Sequence, residues 1–314
     1  MLVVLRPDGG YSLGVSDHEA TQRMADRIRL RVFEHVLANN GGYLSQACSS
    51  AEQLAVLYSG AVRMAPLAAP LAPPPFVAVP GPGLERVSGG AFHGPKAPDL
   101  DRLIISPAHY ALVIYSALIE AGRLDETALA SFNVDGSTVE MIGAEHSPGF
   151  ETTTGSLAQA LSTAGGIALA RRMKKETGRV VVFMSDGEFQ EGQTWEAFQA
   201  LAFHKLDTIR VLVDVNGGQC DGPMDSVMTI EPLAARLEAF GASVDSVDAH
   251  DVPALHAALT RETGRPHVVL AYSDPTRGIP LLEERRPILH YLRFTGSEER
   301  DRYRAAYESM LETS

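Results

Sequence analysis

The sequence predicts an α/β protein of three layers, α/β/α, with helices on both faces of a mostly parallel sheet. Two observations carry this. Short apolar, β-branched runs, Val180 to Met184 and Ile209 to Val215 being the clearest, have the length and composition of strands buried on both faces. Between them, from Glu191, the residues Trp195, Phe198, Leu201 and Ala202 recur at helical spacing, which makes a strand–helix–strand unit. The same alternation continues on both sides, with a short strand at Leu103 to Ile105, another near Ala242 to Val247, and a third in HVVLAY from His267.

In chain order, residues 1 to 15 read as a small strand pair around the turn Pro7-Asp8-Gly9-Gly10. A helix follows with Ser16 as its cap and Ile28, Val32, Phe33 and Val36 on its inner face; it stops at Asn39-Asn40-Gly41-Gly42. GYLSQACSSAEQLAVLY turns into a second helix, with Ser49 or Ser50 as the expected cap. Residues 65 to 98, crowded with Pro, Ala and Gly, exclude regular helix or interior strand. They read as a surface excursion of polyproline character, with a flap over a cleft as the alternative. After the strand at Leu103, a Ser-Pro turn leads to a helix with His109 in its first turn, and a small-residue helix follows Gly155. Beyond Gly222 come a helix over Ile230 to Phe240, a capped helix in DAHDVPALHAAL, and a charged terminal helix over 297 to 312 with Tyr303, Ala306, Tyr307 and Met310 inward.

Composition narrows the functional class. A chain of 314 residues with 45% apolar content can bury a sizeable core. A formal net charge of −12, with only the short basic run Arg171 to Lys175, argues against a nucleic-acid face. Two cysteines, Cys48 and Cys220, are too few for a disulfide framework and lack metal-ligand spacing. No apolar run reaches the length of a membrane span, and Arg6, Asp8 and the Gly9-Gly10 pair break the N-terminus too early for a signal peptide. The expected compartment is the cytoplasm, and the expected ligand a small molecule.

The strand–helix–strand unit carries the chemistry. Its first strand ends at Ser185-Asp186-Gly187 and its second at Asn216-Gly217-Gly218. Open α/β sheets bind ligands beyond the carboxyl ends of their strands, so the Asp186 carboxylate and the Asn216 amide face one crevice. A hard anionic oxygen, a neutral amide oxygen and a close backbone carbonyl suit Mg²⁺ or Ca²⁺ shared with a phosphate group. Gly187 has no Cβ, so the backbone N–H at the helix start can approach an anion. Taken alone, the two residues also fit a plain βαβ unit with an Asp helix cap and an Asn turn.

The wider pattern decides between these readings. SDGEFQEG, followed 30 residues after its Asp by the Asn of DVNGGQCDG, resembles the thiamine-diphosphate motif of the transketolase family. The resemblance extends in order over about residues 20 to 300, and it implies a thiamine-diphosphate-binding fold of the PP-domain type. It implies that Asp186, Asn216 and the Gly218 carbonyl hold Mg²⁺ or Ca²⁺, and that Gly187 and Glu188 lie with the cofactor diphosphate. DRLIISPAHYALVIYSAL is similar to the family segment whose His contacts the diphosphate, here His109, with Ala108 replacing Gly. TTGSLAQA resembles Thr-Thr-Gly-Pro-Leu-Gly-Gln-Gly, so Gly155 and Leu157 are expected at the aminopyrimidine ring. His146 falls on a loop His that faces substrate, His290 on a His beside the phosphates, and Glu191 on a carboxylate near the subunit interface. There is one pointed departure: Tyr43 stands where a substrate-facing His is expected. A phenol donates a hydrogen bond but is no base near neutral pH.

The resemblance also implies a missing half. In the family, a Glu on a separate pyrimidine-binding domain activates the cofactor, and no second sheet domain follows Gly222 before Ser314. All of 1–314 is therefore expected to form a single diphosphate-binding domain. Its partner would be a C-terminal transketolase-like subunit carrying the activating Glu, in a heterotetramer with two copies of each chain in contact. The expected activity is two-carbon ketol transfer from a ketose, phosphorylated or not, to an aldose. Two alternatives stand beside it. One is a subunit of a 2-oxo acid decarboxylase or dehydrogenase, of which GGYLSQACSSAE and EAGRLDETALASF are reminiscent. The other is a cofactor-less scaffold, against which the retained Asp186 and Asn216 argue.

Overall fold

The apolar runs form one five-stranded sheet in which every neighbouring pair is parallel. Its strands are β1 (Arg102–Ile105), β2 (Val180–Ser185), β3 (Ile209–Val215), β4 (Ser243–Asp248) and β5 (His267–Tyr272), in the spatial order β1-β2-β3-β5-β4. This computed structural model describes residues 3–5, 11–13, 17–78, 81–83 and 87–313. All residues of β2 and β3 are buried, Arg210 and Asp214 of β3 included, as expected of strands covered on both faces.

Side chains alternate across the sheet and divide the core in two. On one face, Val181, Phe183, Leu212 and Val269 pack against α1 (His18–Ala38), α2 (Leu44–Val56), α3 (Ala111–Glu120) and α7 (Val252–Thr260). Tyr303 of the terminal helix α8 (Ser297–Thr313) joins them, with Ala306, Tyr307 and Met310 partly buried alongside, as expected. On the other face, Val180, Val182, Met184, Val211 and Val213 meet α4 (Gln159–Met173), α5 (Gly192–Phe203) and α6 (Leu233–Ala239). Each fully buried Val, Leu or Phe contributes about 1.5–3 kcal/mol of transfer free energy.

Some local expectations need correcting. The first helix is capped by Asp17, whose side chain accepts from the Ala20 N–H at 2.9 Å; Ser16 lies outside the described residues. The second helix begins at Leu44, which places Ser49 and Ser50 in its interior. The Ser50 hydroxyl donates back to the Gln46 carbonyl at 2.6 Å and the Ser49 hydroxyl donates to Asp214 at 2.6 Å, so neither caps an end. The helix expected over 230 to 240 is confined to Leu233–Ala239. The N-terminal strands Val3–Leu5 and Tyr11–Leu13 do pair antiparallel; the turn residues between them lie outside the described set.

The Pro-rich stretch is tied down by two isolated bridges, Leu71 to Leu124 and Pro75 to Ser137, and by a short turn at Gly89–His93. None of its described residues lines the large cavity discussed below, so the flap reading finds no support there. The chain after β5 matters more. It crosses back over the strand tips, then pairs Leu292 with Gly42 and Arg293 with Gly41. A Cβ on Gly41 would sit 2.6 Å from the Leu292 carbonyl oxygen, so only glycine permits this approach. Among the described residues, no helix is long and apolar enough to cross a membrane.

Candidate functional site

A cavity of about 540 Å³ opens beyond the carboxyl ends of β2 and β3. Ser185 pairs with Asp214 in the sheet register, so the residues that follow the two strands emerge side by side. Asp186 and Asn216 both line the cavity. The Gly217 N–H donates to Asp186 Oδ2 at 2.8 Å, joining the two strand tips directly. Gly217 itself has φ +69°, a left-handed turn position that suits glycine.

Asp186 is free for this role because something else caps the turn after β2. Glu188 is fully buried and reaches back to the strand end. Its Oε2 accepts from the Ser185 N–H at 2.8 Å and the Ser185 hydroxyl at 3.2 Å. Its Oε1 accepts from the Ala158 N–H at 3.0 Å and from the Ser106 hydroxyl. Glu188, expected at the cofactor, is not brought to the cavity: its acceptors are occupied in holding the turn. Ala158, at the start of α4, sits at φ +70° where the family motif has Gly, a conformation costing an alanine roughly 1–2 kcal/mol. The Glu188 carboxylate anchors it.

The donor set fits a hard divalent cation. Asp186 is 1% exposed, and burial together with the neighbouring Asp214 pushes its carboxyl up to about 8. Among the described residues no Lys, Arg or His pairs with it, so a bound cation would relieve that charge. No cluster of three or more His, Cys, Asp or Glu among the described residues could hold a metal. A site here would draw on the Asn216 amide and the Gly218 carbonyl as well, which is oxygen chemistry suited to Mg²⁺ or Ca²⁺. Gly187 and Gly155 also line the cavity, and a Cβ on either would meet no atom within 4 Å. They leave open space where a phosphate group or a ring could lie close to backbone. Leu157 supplies an apolar wall beside them.

The expected histidines divide. His109 and His290 both line the cavity, with ring centroids 5.5 Å apart. Burial, and then His290, lower the His109 pKa to about 4, and burial lowers that of His290, so both rings are neutral at pH 7. Tyr43 stands at their edge, its ring 6.2 Å from His109, 5.5 Å from His290 and 4.9 Å from Tyr291. Its pKa is raised, first by burial and then by Tyr291 and Cys220, which keeps it a hydrogen-bond donor. His146 is not brought to this cavity. It packs on Phe76 at 4.9 Å and bonds Glu140 Oε2 at 3.0 Å, under the Pro-rich stretch. Glu191 lies at the exposed margin of the cavity.

Three further residues escaped sequence reasoning. Tyr110 and Arg286 line the cavity, and Asp214 lies fully buried beneath it. Asp214 had a signal: it is the acidic interruption of IRVLVDV, which a strand buried on both faces admits only with partners waiting.

The fold and this cavity place the chain among the thiamine-diphosphate-binding α/β domains: the family model described as "Transketolase, thiamine diphosphate binding domain" matches residues 90–273. The chain belongs to the transketolase family. It is 34% identical over 279 residues to the transketolase family protein y4mO of Sinorhizobium fredii, covering 87% of this chain and 90% of that one. It is 28% identical over 266 residues to the 6-deoxy-6-sulfo-D-fructose transketolase subunit SqwG of a Clostridium species, covering 83% and 87%. Against human transketolase it is 28% identical over 270 residues, 85% of this chain but 39% of that protein. The transketolase structure from Campylobacter jejuni superposes with a TM-score of 0.67 at 20% identity, over 94% of this chain and 49% of that one, which establishes the shared fold. The chain thus corresponds to the N-terminal, cofactor-binding part of a family of transferases, and spans about two-fifths of several full-length members.

Proposed function

We propose that this chain is the diphosphate-binding subunit of a split, thiamine-diphosphate- and Mg²⁺-dependent transketolase-like enzyme. It would act in the transfer of a two-carbon ketol unit from a ketose, phosphorylated or not, to an aldose. The observation that carries the reading is the junction of Asp186 and Asn216 at adjacent strand tips, bridged by the Gly217 N–H, over a cavity floored by Gly155 and Gly187. When bound, the cofactor supplies the nucleophilic carbon of ketol transfer.

The work of this chain is binding and orientation. Asp186, Asn216 and the Gly218 carbonyl would hold the metal that shares the diphosphate charge. Gly187 lets the backbone come close to that charge, and Leu157 with Gly155 would seat the pyrimidine end. His109 and His290, neutral at pH 7, can each donate one hydrogen bond and accept another at a phosphate or sugar oxygen. Tyr43 adds a donor at the rim, where it would bear on substrate choice. Glu191, exposed at the cavity margin, would serve contact between subunits. A companion chain carrying the pyrimidine-binding domain and the activating Glu would complete the site, in an assembly with two copies of each chain. SqwG, called a transketolase subunit and matched over 87% of its length, supports this division of labour.

Co-purification of the companion polypeptide from the native source, followed by a ketol-transfer assay with thiamine diphosphate and Mg²⁺, tests the proposal. Transfer between a ketose and an aldose that requires both chains is expected. Decarboxylation of a 2-oxo acid instead would move the chain to a different reaction, and full activity without a companion would remove the split-subunit reading.

A further inference from the structure

The Asp214 carboxylate is 0% exposed, and five side-chain donors from four parts of the chain converge on it. Ser49 and Gln53 of α2 donate at 2.6 and 2.8 Å, and Ser273, just past β5, at 2.6 Å. The Tyr110 hydroxyl donates at 2.8 Å and Asn216 Nδ2 at 3.2 Å, both to Oδ2. Every donor is neutral, and among the described residues no Lys, Arg or His pairs with Asp214. An ion placed for stability alone would be expected to have a cation, so this arrangement calls for another account.

Asn216 supplies it. An amide side chain can be turned either way round, and only its neighbours decide which atom is oxygen. Here both neighbours agree. The end facing Asp214 must be the NH₂, because a carboxylate oxygen accepts, and the Tyr110 hydroxyl, having donated to Asp214, accepts from the same Nδ2 at 3.1 Å. The other end lies 2.9 Å from the Gly218 N–H and must be the oxygen. Turned over, the amide would set oxygen against carboxylate and N–H against N–H. One proton and free lone pairs on the Tyr110 oxygen serve both contacts, donating to Asp214 and accepting from Asn216.

We infer that Asp214, with Tyr110 as the link, is a positioning residue that fixes the polarity of the Asn216 amide so that an oxygen is presented at the strand tips where the metal is proposed to bind. The inference rests on the metal reading above and adds the residues beneath it. Partners behind a metal ligand commonly change metal affinity 10–100-fold when lost. A merely structural hub would change stability and leave affinity alone.

The test uses the full chain with thiamine diphosphate and Mn²⁺, reading bound metal from the loss of the free Mn²⁺ resonance, and thermal unfolding in parallel. Asp214→Asn and Tyr110→Phe should weaken Mn²⁺ 10–100-fold. Ser49→Ala, which removes a donor to Asp214 without touching Asn216, should lower the Tm yet change Mn²⁺ affinity less than threefold. The Asn216 Nδ2 proton signals of the metal-free chain should move in the first two variants and not in the third. Should Asp214→Asn fail to fold, Tyr110→Phe decides alone. Unchanged affinity in the variants at Asp214 and Tyr110, or an equal loss in Ser49→Ala, overturns the role of Asp214 while the metal reading stands. A parent chain that takes up no Mn²⁺ overturns the metal reading, and this inference with it.

Discussion

The two ends of the sheet treat buried carboxylates in opposite ways. At the amino ends, Asp101 is buried beside the start of β1 and takes donors from Arg63 and Arg179 on both oxygens, at 2.7 to 3.2 Å. Burial alone would raise its pKa, but the two guanidinium groups outweigh that and hold it down. At the carboxyl ends, Asp186 and Asp214 are as deeply buried, and among the described residues neither meets a cation. One end is electrostatically closed. The other keeps two buried carboxyl groups without a counter-ion, and a desolvated acid with a raised pKa in a cleft, as Asp186 is, is the pattern of a functional site.

This contrast can be broken in several places. Asp101→Asn should be the most damaging change, because it leaves Arg179 buried beside Arg63 with no counter-charge. A loss of about 3–5 kcal/mol is expected in denaturant titration. The paired carboxylate Glu52 gives a related effect through pH. Burial would raise its pKa, but His250 and Arg29, whose guanidinium lies 2.7 Å away, hold it at about 2 against an ordinary 4.5. A depressed carboxylate stabilises the fold above its unfolded pKa. Stability should therefore fall by something on the order of 3 kcal/mol as pH drops from about 4.5 toward 2. Glu52→Gln should flatten that limb of the curve.

At the open end the signs differ. Asp186→Ala should weaken thiamine diphosphate and Mg²⁺ binding by more than about 100-fold, near 2.7 kcal/mol, in calorimetry. It should change unfolding free energy by less than about 1 kcal/mol, since the lost Gly217 hydrogen bond is offset by removal of an unpaired buried carboxyl. If Asp186→Ala unfolds the chain as Asp101→Asn does, the two ends are alike and the contrast fails. The smallest effect is expected at the rim: Tyr43→His should leave cofactor affinity unchanged and shift substrate preference by roughly tenfold, about 1.4 kcal/mol.

The same contrast explains what could be read from the chain alone. The strand–helix–strand unit was legible because its signals are local: apolar runs of strand length, helical spacing from Trp195 to Leu201, and breaks at Asp186 and Asn216. The pairing of those two residues followed from parallel strands having their tips on one edge. What stayed hidden depends on contacts far apart in sequence. Ser49 looked like a cap because Ser begins helices; its actual partner Asp214 is 165 residues away. Glu188 matched a motif by position, yet its partners Ser106 and Ala158 turn it inward. His146 lies in a loop whose path is set by the Pro-rich stretch, and it goes to Phe76. His290 reaches the cavity because Leu292 and Arg293 pair with Gly42 and Gly41, a register that no short pattern announces.

The most direct trial of the account is a titration of thiamine diphosphate into the chain assembled with its companion, first with Mg²⁺ and then with a chelator. Saturable binding in Mg²⁺ that disappears on chelation is the predicted result. Binding of equal strength without divalent metal, or none at millimolar cofactor in its presence, would contradict the claim that Asp186 and Asn216 grip a metal-bound diphosphate.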